Sequence, residues 1–209
     1  MLKKILYFIN AITIMSFALF LPTPKVSAMS NYDVLYEGID VSHWQGYINY
    51  AEVKASGIEI VYIKSSQGSN IVDPYFRTNY DNAKANGLNI GFYHYVVARS
   101  EAEAIREAEY FSSVISGTSP NCKLAMDFEN FGNLNKEEIN AISRAFLTKV
   151  QELTGKNMVI YSDAYNAKNT FDKELASSYP LWIAEYGVSS PTENINWESW
   201  VRFSIYEFR

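Results

Sequence analysis

Leu88-Asn89-Ile90-Gly91-Phe92-Tyr93-His94-Tyr95 and Lys123-Leu124-Ala125-Met126-Asp127-Phe128-Glu129 are two short, nearly continuous apolar runs with a helical pattern between them. Runs of this length, bounded by polar stretches, read as strands buried on both faces. The helix between them marks its own ends. Ser100 with Glu103 forms a capping box ahead of the apolar positions 104–115, and Gly117 stands where a C-cap glycine would. Strand, helix, strand in that order is the unit of a parallel sheet, because parallel neighbours need a crossover between them.

The same alternation extends in both directions. Strand patterns stand at 38–42, 58–64, 88–95, 123–129, 157–162 and 181–185, with a weaker one at 200–205. Asn135 with Glu138 opens a helix whose apolar face holds Ile139, Ile142, Phe146, Leu147, Val150 and Leu153, and Gly155 closes it. Gly57 and Gly87 punctuate two earlier helices just before strands. No internal repeat, low-complexity stretch or linker interrupts the chain, so a single domain is expected over 33–209. Six or seven βα units imply an α/β fold of irregular TIM-like β/α barrel type, with its chemistry at the carboxyl ends of the strands.

Charge and composition narrow the function. The chain has 209 residues with 18 Lys plus Arg against 23 Asp plus Glu, and 15% of it is aromatic. Neither a disordered nor a collagen-like chain fits that composition. An acidic balance without a basic cluster argues against a nucleic-acid partner. Lys3 and Lys4 precede the apolar run 5–21, and Val26-Ser27-Ala28 ends the segment, which is the order of a secretory signal spanning 1–28. An uncleaved anchor is the alternative, although the run is barely long enough to span a bilayer. Cleavage removes three lysines and no acid, taking the formal net charge from -5 to -8. A secreted protein without stable membrane association after cleavage follows from that reading, and a monomer is expected. Cys122 is the single cysteine, so no internal disulfide forms, and it reads as a small buried hydrophobe at a strand start.

The strand ends collect acids and aromatics: Asp40 with His43 and Trp44, Lys64, Tyr93 to Tyr95, Asp127 with Glu129, Tyr161 with Asp163, and Trp182 with Glu185 and Tyr186. Asp127-Phe128-Glu129 is the sharpest element. Residues two apart in a strand project to one face about 6.5 to 7 Å apart, and two close carboxylates raise one pKa enough for general-acid work. Glycoside hydrolysis needs such an acid and a second carboxylate beside the sugar cation. Taken alone, an Asp-x-Glu reads more readily as a solvated strand end or a helix cap. Asp40, His43 and His94 offer a conceivable zinc site, hence a zinc-dependent deacetylase, but no H-E-x-x-H spacing supports it. No G-x-S-x-G supports a serine nucleophile.

Gly38-Ile39-Asp40-Val41-Ser42-His43-Trp44-Gln45-Gly46, Gly91-Phe92-Tyr93-His94-Tyr95, Met126-Asp127-Phe128-Glu129, Val159-Ile160-Tyr161-Ser162 and Leu181-Trp182-Ile183-Ala184 together resemble glycoside hydrolase family 25, the Chalaropsis-type lysozymes of bacteria and phages. The resemblance implies a muramidase acting on peptidoglycan glycan strands, on an irregular β/α barrel, without metal or organic cofactor. It implies that Glu129 is the proton donor and that Asp127 orients substrate or stabilises the sugar cation through the substrate's N-acetyl group. Asp40 corresponds to the first-strand acid of the site, and Tyr93, Tyr161, Trp182 and Tyr186 to residues that line the sugar groove. A degenerate peptidoglycan-binding protein that keeps the groove without turnover is the rival expectation.

The resemblance departs after Trp200-Val201. Family members continue there with a Gly-Phe-Gln-Tyr-type strand, a hairpin and a last strand bearing another active-site aspartate, whereas this chain reads Arg202-Phe203-Ser204-Ile205-Tyr206-Glu207-Phe208-Arg209. The closing strand is therefore expected to be missing or altered, with low or absent turnover, since unpaired ladder edges destabilise a barrel. Ser204 to Phe208 can be encoded as TCA ATA TAC GAG TTT, which read from the second base gives the family-like Gln-Tyr-Thr-Ser. A single-nucleotide frameshift near codon 202 that truncated an ancestral gene is therefore the expected origin of the departure. Sequencing the gene checks this, and a downstream frame without a Gly-rich, Asp-bearing strand would refute it.

Overall fold

The computed structural model describes residues 36–184, 197 and 200–201. Among the described residues eight strands form: β1 Gly38–Val41, β2 Ile60–Gln67, β3 Ile71–Val72, β4 Asn89–Tyr95, β5 Leu124–Asp127, β6 Met158–Asp163, β7 Leu181–Ala184 and β8 Trp200–Val201. The helices are α1 Tyr50–Ala55, α2 Phe76–Ala85, α3 Glu101–Val114, α4 Lys136–Thr154, α5 Ala164–Asn169 and α6 Lys173–Ser178. The strands run in the order β1-β2-β4-β5-β6-β7-β8, each parallel to its neighbour, and β3 pairs antiparallel with β2. This is a mixed α/β fold with a curled parallel sheet, an irregular and incomplete TIM-like barrel. Among the described residues no pairing joins β8 to β1. The expected signal at 1–28, Glu185 and Tyr186, and the altered segment 202–209 lie outside the described residues. No helix among the described residues is long and apolar enough to cross a membrane.

Alternation along the strands divides the core in two. Successive side chains point to opposite faces, so Val61, Ile63, Ile90, Phe92, Leu124 and Met126 face the helices and join the main core. Their alternates Tyr62, Ala125, Val159 and Trp182 form a separate, smaller cluster on the inner face. The inner face is narrow, and Gly91 makes room in it. A Cβ at Gly91 would stand 2.4 Å from Cε1 of Tyr62, so the tyrosine ring occupies the space a side chain would need. Helix ends follow the expected signals: Ser100 accepts from the Glu103 amide, Asn135 and Glu138 form a reciprocal capping box, and Gly155 ends α4 at φ 65°.

The strands differ from expectation at their carboxyl ends. β2 runs on past Lys64 because a register shift between Lys64 and Ser66 lets its ladder with β4 continue to Gln67 opposite Tyr95. β5 stops at Asp127, not Glu129. The Val96 amide donates to the Asp127 carbonyl at 2.7 Å, after which the buried Phe128 packs edge-on against Phe131 at 4.9 Å. The two-residue β3 was not foreseen, since Ile71 and Val72 are both exposed and give no alternation to read.

His94 ends on the helix side of the sheet. Its Nδ1 lies 2.8 Å from Ser66 Oγ and its Nε2 3.3 Å from Glu107 Oε2, and the ring packs against Phe111 and Phe146, which also touch each other. Burial pushes its pKa down, while Glu107 pulls it up. Val97 donates a further 3.0 Å bond to Glu107. The network ties β2, β4 and α3 together.

Gly91→Ala is expected to destabilise the fold by about 1–3 kcal/mol, because the added methyl must displace the Tyr62 ring. Chemical denaturation measures this, and an unchanged midpoint would mean that the ring moves aside freely.

Candidate active site

The inner-facing positions nearest the strands' carboxyl ends carry the polar groups. Asp40 stands on β1, Lys64 on β2, Tyr93 and Tyr95 on β4, Asp127 on β5, and Tyr161 and Asp163 on β6. The register sets Tyr95 beside Asp127, Asp127 beside Tyr161, and Tyr161 beside Trp182. The floor beneath them is aromatic. The Trp182 ring lies 4.8 Å from Tyr62, 5.0 Å from Tyr161 and 6.4 Å from Tyr93, and Trp182 is only 2% exposed.

Asp127 is 9% exposed, and its Oδ1 has no hydrogen-bond partner among the described residues. Its pKa is raised well above the ordinary carboxylate range. Burial away from water is the largest cause, the neighbouring Glu129 and Asp40 charges add to it, and the Lys64 cation opposes it. Glu129 lies just beyond the strand and reaches solvent. Partial loss of water still raises its pKa first, and the Asp163 charge adds, whereas a hydrogen bond from the Tyr161 hydroxyl and the Lys64 cation pull it down. Asp127 thus feels the Glu129 charge, and the two carboxyls share one cation. Lys64 Nζ sits 5.0 Å above the Tyr95 ring and donates to Gln67 Oε1 at 3.1 Å. Tyr93 is held protonated well above its usual range by burial and by the Asp40, Asp127 and Asp73 carboxylates, although a Ser42 hydrogen bond acts in the opposite direction.

The loop after β1 is firmly built. Ser42 and Gln45 cap each other reciprocally, and His43 is bonded twice to buried Asp73, from its amide at 3.0 Å and at Nδ1 at 2.8 Å. Asp40, His43 and His94 do not assemble into the conceivable zinc set, because Asp40 faces inward while His94 faces the helices. Among the described residues no three potential ligands gather. Cys122 is partly buried against the inner cluster, and burial pushes its thiol up to about 11 despite Lys123. A cavity of about 300 Å³ between β1 and α1 borders Asp40, yet neither Asp127 nor Glu129 lines it. Sequence reading missed Tyr62 and Asp73. The period-two spacing of Tyr62 and Lys64 would have placed both on the inner face, whereas nothing local marks Asp73 as a partner for His43.

The family model for glycosyl hydrolases family 25 matches residues 39–205, from the second residue of β1 past the end of β8. The chain belongs to glycosyl hydrolase family 25. Among relatives of this family, the autolytic lysozyme of Clostridium acetobutylicum is 38% identical over 155 residues, 74% of this chain and 46% of that protein. Lysozyme M1 of Streptomyces globisporus is 33% identical, over 78% of this chain and 59% of its own length. The chain thus spans about half the length of these two family 25 relatives. Among solved structures, the bacterial lysozyme of Streptomyces coelicolor superposes with a TM-score of 0.68 at 31% identity, covering 81% of this chain and 82% of that one. A family 25 hydrolase from Bacillus anthracis, at 20% identity and TM-score 0.69, shares the fold.

A carboxyl whose pKa rises on folding lowers stability once it ionises, beginning above its unfolded value and reaching the full cost above its folded value. Asp127→Asn is therefore expected to raise Tm at neutral pH by roughly 2–4 °C, about 1 kcal/mol for a chain of this size. The gain disappears below about pH 4, where the unfolded carboxyl is also protonated. Calorimetry at both pH values checks it, and a Tm at neutral pH that is unchanged or lower would contradict the assignment.

Proposed function

We propose that this chain is a secreted muramidase that hydrolyses the β-1,4 bond between N-acetylmuramic acid and N-acetylglucosamine in peptidoglycan glycan strands. The pair Asp127 and Glu129 carries the reading: one acid buried, one at the rim, both with raised pKa, at the end of a central strand. Family membership and relatives described as lysozymes support the substrate class. The run 5–21 ending at Val26-Ser27-Ala28 supports export.

In this reading Glu129 protonates the leaving glycosidic oxygen. Two coupled carboxyls lose their protons as a pair, and in the free site the more deeply buried Asp127 holds the shared proton more firmly. A bound sugar changes that allotment. Its acetamido N–H bonds to ionised Asp127, and its bulk strips water from Glu129, so the acid form moves to Glu129. Asp127 then orients the acetamido group and stabilises the positive charge that develops at the sugar carbon. Asp40 adds negative potential across the site. In this reading Tyr93 and Tyr161 line the groove above the Trp182 floor, where pyranose faces pack on aromatic rings.

Cell-wall zymography with mass analysis of the products tests this, using the present chain and a version carrying the family-like Gln-Tyr-Thr-Ser continuation. Release of fragments with N-acetylmuramic acid at the reducing end is expected to fall about 10²–10⁴-fold in Glu129→Gln. Turnover that survives Glu129→Gln, or muropeptide binding with no reducing ends from either form, would overturn it.

A further inference from the structure

Trp44 and Tyr47 are each 81% exposed, the most exposed large hydrophobic residues among those described. A single exposed aromatic needs no explanation, so exposure by itself assigns nothing. Trp44, however, is held in place. Its amide donates to Ser42 Oγ at 3.2 Å, and Ser42 is fixed in turn by its amide bond to Gln45 Oε1 at 2.8 Å. The His43 ring packs against the indole with centroids 4.5 Å apart and planes tilted by 35°. His43 cannot swing away, because its amide and Nδ1 are both bonded to Asp73, which is 3% exposed and also accepts from the Tyr75 amide at 2.9 Å. One face of the indole is therefore backed by an anchored imidazole, and the rest stands in solvent.

The loop is continuous with the carboxylate site. Asp40 precedes Ser42 by two residues, and the Ser42 side chain is hydrogen-bonded to Tyr93, which stands on the Trp182 floor. The 42–47 loop thus leaves the carboxyl end of β1, the strand that bears Asp40. An aromatic ring fixed before binding loses little conformational freedom when a ligand stacks on it. Its flat apolar face, with no Lys, Arg, Asp or Glu in the 42–47 loop, suits the C–H face of an uncharged pyranose better than an ionic group.

We propose that Trp44, flanked by Tyr47 and braced by the His43–Asp73 pair, is a sugar-stacking subsite for N-acetylated hexose units of the glycan strand beyond the bond at Asp127 and Glu129. The inference deepens the muramidase reading and rests on it for the identity of the ligand. His43 and Asp73 act here as positioning residues. The platform makes the protein prefer long strands over short ones.

The test compares Trp44→Ala and Trp44→Tyr with the unmutated 42–47 loop, each also in a Glu129→Gln background so that binding is measured without turnover. The probes are peptide-free peptidoglycan strands and a short oligosaccharide of two disaccharide units. Calorimetric titration of long strands is expected to show Kd about tenfold weaker for Trp44→Ala, with a much smaller loss on the short probe and most of the affinity recovered in Trp44→Tyr. In the active form the loss appears mainly in KM. Thermal melting and far-ultraviolet dichroism check that the variants fold, as expected for an exposed side chain. Equal affinities of Trp44→Ala and the parent for long strands, or an equal loss on long and short probes, overturn the proposal. If neither the parent nor the version carrying the Gln-Tyr-Thr-Ser continuation releases reducing ends the muramidase reading fails, yet the binding comparison still decides the platform.

Discussion

A carboxylate kept out of water beside a second carboxylate is the constraint around which this molecule is arranged. Asp127 is buried at the end of β5 with one oxygen unpartnered among the described residues, and Glu129 and Asp40 add negative charge to the same space. Such a site is tolerated because the surrounding fold is over-determined. The helix-facing core holds β5 from one side through Leu124 and Met126, both fully buried, and the Trp182 cluster closes the other. Lys64, seated above the Tyr95 ring, and Tyr161 then moderate the charge without cancelling it.

The inner aromatic floor follows from geometry as much as from composition. Parallel strands alternate their side chains, and the inner face of a curled sheet is the smaller one. Tyr62 and Trp182 fit there because Gly91, Ala125 and Val159 are small at neighbouring positions. The same floor presents Tyr93 and Tyr161 upward as half-buried rings, so the packing that closes the sheet also shapes a surface suited to sugars. Local stability is given up at the acids and regained in the packing beneath them.

Much of this was legible beforehand. The apolar runs located the parallel strands, the capping signals at Ser100 and Asn135 located α3 and α4, and Asp127-Phe128-Glu129 located the carboxylates. What could not be read depends on contacts distant in sequence. Asp73 serves His43 across thirty positions, and Ile71 and Val72 pair with β2 without any pattern of their own. The two histidines show how far alternation goes. Tyr93 and His94 cannot both face inward, so one of them had to leave the site, and the Ser66–Glu107 pair on the helix side decided which. The end of β5 was misjudged by two residues because Glu129 sits past the last ladder bond, where it gains the solvent access that Asp127 lacks.

Family membership gives the fold and the class of chemistry, and the local electrostatics say how this chain would perform it. The central claim is the unequal state of the two acids in the free protein. Site-resolved carboxyl carbon titration by NMR tests it most directly. Asp127 is expected to titrate well above the ordinary aspartate value of about 3.9 and above Glu129, itself raised. An Asp127 that ionises at or below about 3.9, or after which Glu129 is the higher of the two, would contradict it.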